Sequence, residues 1–121
     1  MIQTQNLKHY DLEDRTFKFA IEVKNIIKTL PRTLSNIEYG KQLIRSSASV
    51  GANYIEANES LSKKDFIMRI MICRKEAKES EYWLKLIDIL DNQEFQKNAL
   101  IKESVELRKI FGKIIENSRK V

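Results

Sequence analysis

Apolar residues recur along the chain at the three-and-four spacing of a helix, and short polar joints cut the pattern into four segments. In the first, Phe19, Val23, Ile26, Ile27 and Leu30 follow the acidic tract Asp11, Glu13 and Asp14. Carboxylates suit a helix N-terminus, where unpaired N–H groups carry partial positive charge. Pro31 cannot donate a helical hydrogen bond and biases Leu30 away from helical dihedrals. The predicted first helix therefore covers residues 12–30, with Lys24, Lys28 and Arg32 complementing its C-terminal dipole.

The second helix is predicted over 34–58, capped by Thr33 or Ser35. Leu34, Ile37, Leu43, Ile44, Val50, Tyr54 and Ile55 supply its apolar side. Its middle is made of small residues: Ser46, Ser47, Ala48, Ser49, Gly51 and Ala52. Glycine inside a helix costs about 1 kcal/mol relative to alanine, so Gly40 and Gly51 point to close approach of another backbone.

Ser62, with Asp65 three residues on, opens a third helix predicted over 63–90. Phe66, Ile70, Cys73, Ala77, Ser80, Leu84 and Ile87 then form a heptad seam. Ile67, Met68, Met71, Ile72, Trp83, Leu86 and Leu90 lie off that seam, more apolar surface than one intramolecular contact uses, and part of it is expected to face another subunit. The joint Asp91, Asn92 and Gln93 precedes a fourth helix, predicted over 93–118 with Asn92 as its cap. Leu100, Ser104, Leu107, Phe111 and Ile114 repeat the seam, widened by Ala99, Val105, Ile110 and Ile115. There is no strand pattern and no Gly/Ser linker. The expectation is one all-α domain over residues 1–121, an antiparallel up-down-up-down four-helix bundle with short joints.

Composition narrows the chemistry. Of 121 residues, 42% are hydrophobic and 32% charged, with three Gly, one Pro, one Cys and one His. A chain this long buries enough surface for a core without staples. A single Cys excludes an internal disulfide. No run reaches the roughly 18 apolar residues of a membrane span, and residues 1–14 lack a signal peptide's apolar core, so no membrane association is expected and the cytoplasm is the expected address. One His and one Cys exclude most zinc sites, Ser/His/Asp triads and the paired Glu-x-x-His motifs of di-iron bundles. His9 reads as a solvated residue of the N-terminal lead, and Cys73 as a core thiol. With no nucleophile and base in evidence, neither enzyme activity nor a cofactor is expected.

The net charge is +5, and its excess sits at the C-terminal end, where residues 92–121 carry seven basic and four acidic side chains. Lys63, Lys64, Arg69, Arg74, Lys75 and Lys78 on helix three, with Arg108, Lys109, Lys113, Arg119 and Lys120 on helix four, are the candidate phosphate-contacting residues. The intermixed Asp65, Glu76, Glu79 and Glu81 support the alternative of an ordinary solvated face with helical ion pairs. Tyr82 and Trp83 are candidates for stacking on bases or for core and interface packing.

Helix two carries a polar stripe, Arg45, Ser49, Asn53 and Glu56, at steps of 4, 4 and 3 residues. Two readings stay open for it: a contact network across helices or subunits with Arg45 paired to a carboxylate, and a ligand-binding or catalytic stripe.

The run RSSASVGANYIEA, with Arg45, Ser49, Val50, Gly51, Asn53 and Glu56, resembles the signature of a bacterial four-helix-bundle family. That family was first associated with open reading frames in intervening sequences of 23S ribosomal RNA genes. Ser62, Lys63, Asp65, Phe66, Lys75, Glu76, Tyr82, Trp83 and Leu84 fit the family's Ser-x-x-Asp-Phe and Tyr-Trp-Leu patterns. Ala57 departs from the pattern, since many members carry Gly after the motif Glu, and this predicts that helix two extends towards Glu59. The resemblance implies a left-handed bundle assembled as a homopentamer. It also implies similarity to the accessory proteins of diversity-generating retroelements, basic bundles that bind nucleic acid and a reverse transcriptase. RNA or DNA is thus the expected ligand of a homo-oligomer, and a protein partner without a physiological nucleic-acid ligand is the alternative.

Overall fold

In the computed structural model, which describes residues 2–120 and the side chains of residues 12–120, the chain forms four long helices. These are α1 (Ile2–Lys28), α2 (Leu34–Asn58), α3 (Lys63–Leu86) and α4 (Glu94–Ser118), with a 3-10 turn over Asp91–Gln93. Two caps form as their chemistry dictates. The Thr33 hydroxyl accepts from the Asn36 N–H at 3.1 Å, and the Ser62 hydroxyl accepts from the Asp65 N–H at 3.1 Å. Helix α2 stops at Asn58 and does not extend, with Glu59 as its C-cap.

Helix α1 starts ten residues before its predicted position and ends two residues before. An acidic tract favours a helix start without forcing one, and no Gly or Pro precedes Pro31 to interrupt the helix. The side chains of His9 and Asp11 lie outside the described residues.

Positions that meet across helices rise in one helix as they fall in the next. Gly40 faces Ile27 while Gly51 faces Thr16; Arg45 reaches Glu76 and Glu79 while Asn53 meets Arg69; Glu81 meets Arg108 while Arg74 lies over Gly112. Between them runs one core: Phe19, Val23, Ile26, Leu43, Val50, Ile70, Cys73, Leu84, Leu107 and Phe111 are almost completely buried.

The inward side of α2 differs from the expected apolar one. Leu43, Val50 and Tyr54 are buried, but Leu34, Ile37, Ile44 and Ile55 are exposed, and the face turned inward carries Asn36, Gly40, Ser46, Ser47 and Ala57. Small residues are buried because α1 and α3 come close. A Cβ added at Gly51 would lie 3.0 Å from Thr16 Oγ1 and 3.2 Å from Thr16 Cβ. Ser46 and Ser80, both buried, bond to each other at 2.9 Å across the α2–α3 contact.

A polar clamp at one end of the bundle overrides two boundaries. Asn36 accepts from the Asp88 N–H and donates to the carbonyls of Asp88 and Pro31, each at 2.9 Å. These bonds hold Asp88 in a non-helical segment, so α3 ends at Leu86 and not at residue 90 as its apolar pattern predicts. Gln93 is likewise occupied: its amide donates to Thr29 Oγ1 at 2.7 Å and its oxygen accepts from the Leu90 N–H at 2.9 Å. The 3-10 turn over Asp91–Gln93 displaces the predicted Asn92 cap. Gln93 becomes the N-cap of α4, without a side-chain capping bond.

Candidate nucleic-acid interface

Helices α3 and α4 pack along their seams and leave an open groove of about 960 Å³ on their outer side. Ile67, Met68, Met71 and Ile72 form its floor, the residues that lay off the α3 heptad. Lys64, Arg74, Lys75 and Lys78 from α3, with Arg108 and Lys109 from α4, form its walls. Gly112 keeps the floor accessible on the α4 side, with the Arg74 aliphatic stem 4.0 Å from where its Cβ would be. Among the described residues, no carboxylate lines the groove.

The absence of carboxylates has a specific cause. The glutamates interspersed with the α3 lysines point to the flanks of the helix, where other cations hold them. Arg45 bonds to Glu79 and reaches both carboxylate oxygens of Glu76 at 3.5 Å. Glu81 accepts from Lys85 at 2.9 Å and from Arg108 at 3.4 Å. Its carboxyl is held below the usual carboxylate range mainly by the Lys85 hydrogen bond, with Arg108 adding to the effect against the opposing effect of burial. Among the described residues, Lys64, Arg74, Lys75, Lys78 and Lys109 form no ion pair. Arg108 differs from these five: it is half-buried, it holds Glu81, and its Nε is buried without a hydrogen-bond partner.

Six of the eleven candidate cations thus come together. The others do not line the groove. Arg69 turns to the opposite flank and donates to Asn53 Oδ1 at 3.0 Å, in a cleft it shares with Glu56, Glu59 and Asp65. Lys113 lies 3.6 Å from Glu116. Arg119 reaches Met71 Sδ at 3.8 Å, beside the groove floor. Lys63 and Lys120 are exposed outside the groove lining. The sequence reading missed the methionine floor as part of a site; its signal was the step pattern 64, 68, 71, 75, 78, 82 along α3.

The polar stripe on α2 is spread over contacts with α3. Arg45 engages Glu76 and Glu79, Asn53 donates to the Ser49 carbonyl at 2.8 Å and accepts from Arg69, and Glu56 is exposed. Trp83 packs on Tyr39 with ring centroids 5.8 Å apart and donates to Glu79, whereas Tyr82 is 59% exposed. Cys73 is fully buried, and burial pushes its thiol up to about 12, which leaves no thiolate for chemistry at neutral pH.

Fold and groove together define an all-α four-helix protein with a cationic outer groove. The sequence profile of the 23S rRNA-intervening sequence proteins matches residues 8–113, and the chain belongs to that family. It is similar to a crystallised protein of unknown function from the S23 ribosomal protein family of Bacteroides thetaiotaomicron. The two share 34% identity and a TM-score of 0.72 over 90% of this chain and 98% of the other. Among curated proteins, none matches the chain significantly.

Proposed function

We propose that the protein is a non-enzymatic, homo-oligomeric nucleic-acid-binding bundle of the cytoplasm, related in its role to ribosomal RNA, that grips phosphates along the α3–α4 groove. The observation that carries this reading is the segregation of charge. Six cations line one groove while the α3 glutamates are held on its flanks. Lysine and arginine contacts of this kind fix a nucleic acid in place without reading its sequence. Oligomerisation, five-fold on the family resemblance, repeats the patch, and phosphate neutralisation grows with every contact. The outward Ile37, Ile44 and Ile55 of α2 and the exposed Phe17 of α1 supply apolar surface for subunit contacts.

The test is Lys75→Glu/Lys78→Glu/Lys109→Glu, three exposed residues without ion pairs, assayed for binding of a fluorescent RNA hairpin at 50 mM salt. Binding should fall at least 30-fold with the oligomer intact; unchanged affinity would remove the groove from the function. The outward α2 face also favours a second reading, a protein-interaction scaffold. Partner capture that survives nuclease and moderate salt, together with no hairpin binding, would select it.

A further inference from the structure

The cationic walls account for phosphate binding by any nucleic acid, but they leave the apolar floor unexplained. On α3, Lys64, Met68, Met71, Lys75, Lys78 and Tyr82 succeed one another at steps of 4, 3, 4, 3 and 4 residues, so they form one continuous stripe. All six are exposed, Met68 at 55%, Met71 at 39% and Tyr82 at 59%. Over 18 residue steps the stripe is about 27 Å long. It therefore alternates groups that attract phosphate with groups that attract an aromatic face.

A duplex has no use for the second kind. Its outer surface is phosphate, sugar and base edges, and its base faces are stacked inside, so it presents no aromatic face to methionines beneath it. An unpaired strand exposes base faces along with its phosphates, and proteins that hold such strands combine a cationic groove with side chains on which bases rest. Thioether sulfur makes favourable contacts with aromatic rings, and the unbranched methionine side chain adapts to different bases.

We propose that the α3–α4 groove takes an unpaired nucleic-acid segment, with phosphates on Lys64, Lys75, Lys78 and Lys109, bases over Met68 and Met71, and a further base over Tyr82, which continues the α3 stripe outside the groove lining and packs edge-on against Trp83. This rests on the nucleic-acid reading above and states which form of nucleic acid the site selects. Recognition is by base face and backbone, so it tolerates any sequence, and in a structured RNA it falls on a loop or single-stranded end.

The experiment measures fluorescence anisotropy of two labelled RNAs, a 12-nucleotide single strand of mixed sequence without self-pairing and a 12-base-pair duplex, at 50 mM salt. The proteins are wild type and Met68→Gln/Met71→Gln, each checked for mass by light scattering. Wild type should bind the single strand at least tenfold tighter than the duplex. The double variant should lose about tenfold on the single strand, with duplex binding and the salt slope unchanged. A duplex bound as tightly as the single strand overturns this proposal alone and leaves phosphate binding standing. Should the methionine variant hold the single strand as wild type does, the floor has no role and the proposal fails in the same way. Failure of wild type to bind either RNA overturns it together with the reading it rests on.

Discussion

Two glycines on one helix provide a controlled test of how closely the helices approach. Replacing either Gly40 or Gly51 by alanine gains about 1 kcal/mol of helix propensity. The packing responses should differ. A Cβ at Gly40 lies 3.6 Å from Ile27 Cγ2, an ordinary contact, so Gly40→Ala should stabilise the protein by about 1 kcal/mol. At Gly51 the new Cβ meets Thr16 Oγ1 at 3.0 Å and Thr16 Cβ at 3.2 Å. Thr16 has little freedom to yield, because it is 2% exposed and its hydroxyl donates to the Glu13 carbonyl at 3.0 Å. Overpacking of this kind costs about 1–3 kcal/mol, so Gly51→Ala should lose about 1 kcal/mol net. The two variants should therefore stand about 2 kcal/mol apart, roughly 8 °C in Tm for a domain of this size. Urea denaturation at one fixed protein concentration, which holds any oligomer contribution constant, measures the gap. Thr16→Ala combined with Gly51→Ala should recover part of the loss, since Oγ1 is gone while Cβ remains. If both alanines stabilise the protein equally, the α1–α2 contact is not as close as described and the explanation for the small-residue ridge is wrong.

Asn36→Ala removes three bonds and leaves the Asp88 N–H and carbonyl without their partner, whereas the Pro31 carbonyl keeps the Thr33 N–H at 3.1 Å, so it should cost about 2–3 kcal/mol; a loss under 0.5 kcal/mol in denaturation would dismiss the clamp. Glu81 titrates below its ordinary value in the folded state, so its stabilising contribution is present above about pH 4.5 and lost as pH falls through the folded pKa. The stability difference between wild type and Glu81→Gln should accordingly hold from pH 8 to 5 and shrink towards pH 3; a constant difference would contradict that sign. Cys73 should resist a thiol reagent at pH 8 in native protein and react within seconds in denaturant, whereas rapid native labelling would mean the α3 core opens readily.

The sequence was most legible where its signals are local. Thr33 and Ser62 announce their helices because a hydroxyl and an N–H three residues on need nothing else. The seams of α3 and α4 were readable for a related reason: Ile70, Cys73, Ala77, Ser80 and Leu84, and Leu100, Ser104, Leu107 and Phe111, recur at steps of three and four on one face and are all buried, although at the end of α4 Ile115 and not Ile114 turns inward. Helix α2 misled because it carries two competing faces, one with Ile37, Ile44 and Ile55 and one with Gly40, Ser46 and Ser47. Which face turns inward depends on how near the neighbouring helices come, a property of the assembled bundle. The end of α3 was hidden because Asn36, 52 residues away, fixes Asp88. For the groove, the cations were visible one by one. That six of them line one channel over a methionine floor follows from the packing of α3 on α4, and that the intervening glutamates are occupied follows from Arg45, Lys85 and Arg108.

The most direct measurement of the central claim is the affinity of the wild-type protein for a structured RNA with an unpaired loop across 50–200 mM salt, with the oligomeric mass determined in the same preparation. Five groove cations without ion pairs predict a slope of log affinity against log salt of about −3.5 to −4.5 per protomer engaged, a fall of roughly 100- to 500-fold over that range. A flat salt dependence, or no binding at 50 mM, would contradict the claim that the groove exists to hold phosphates.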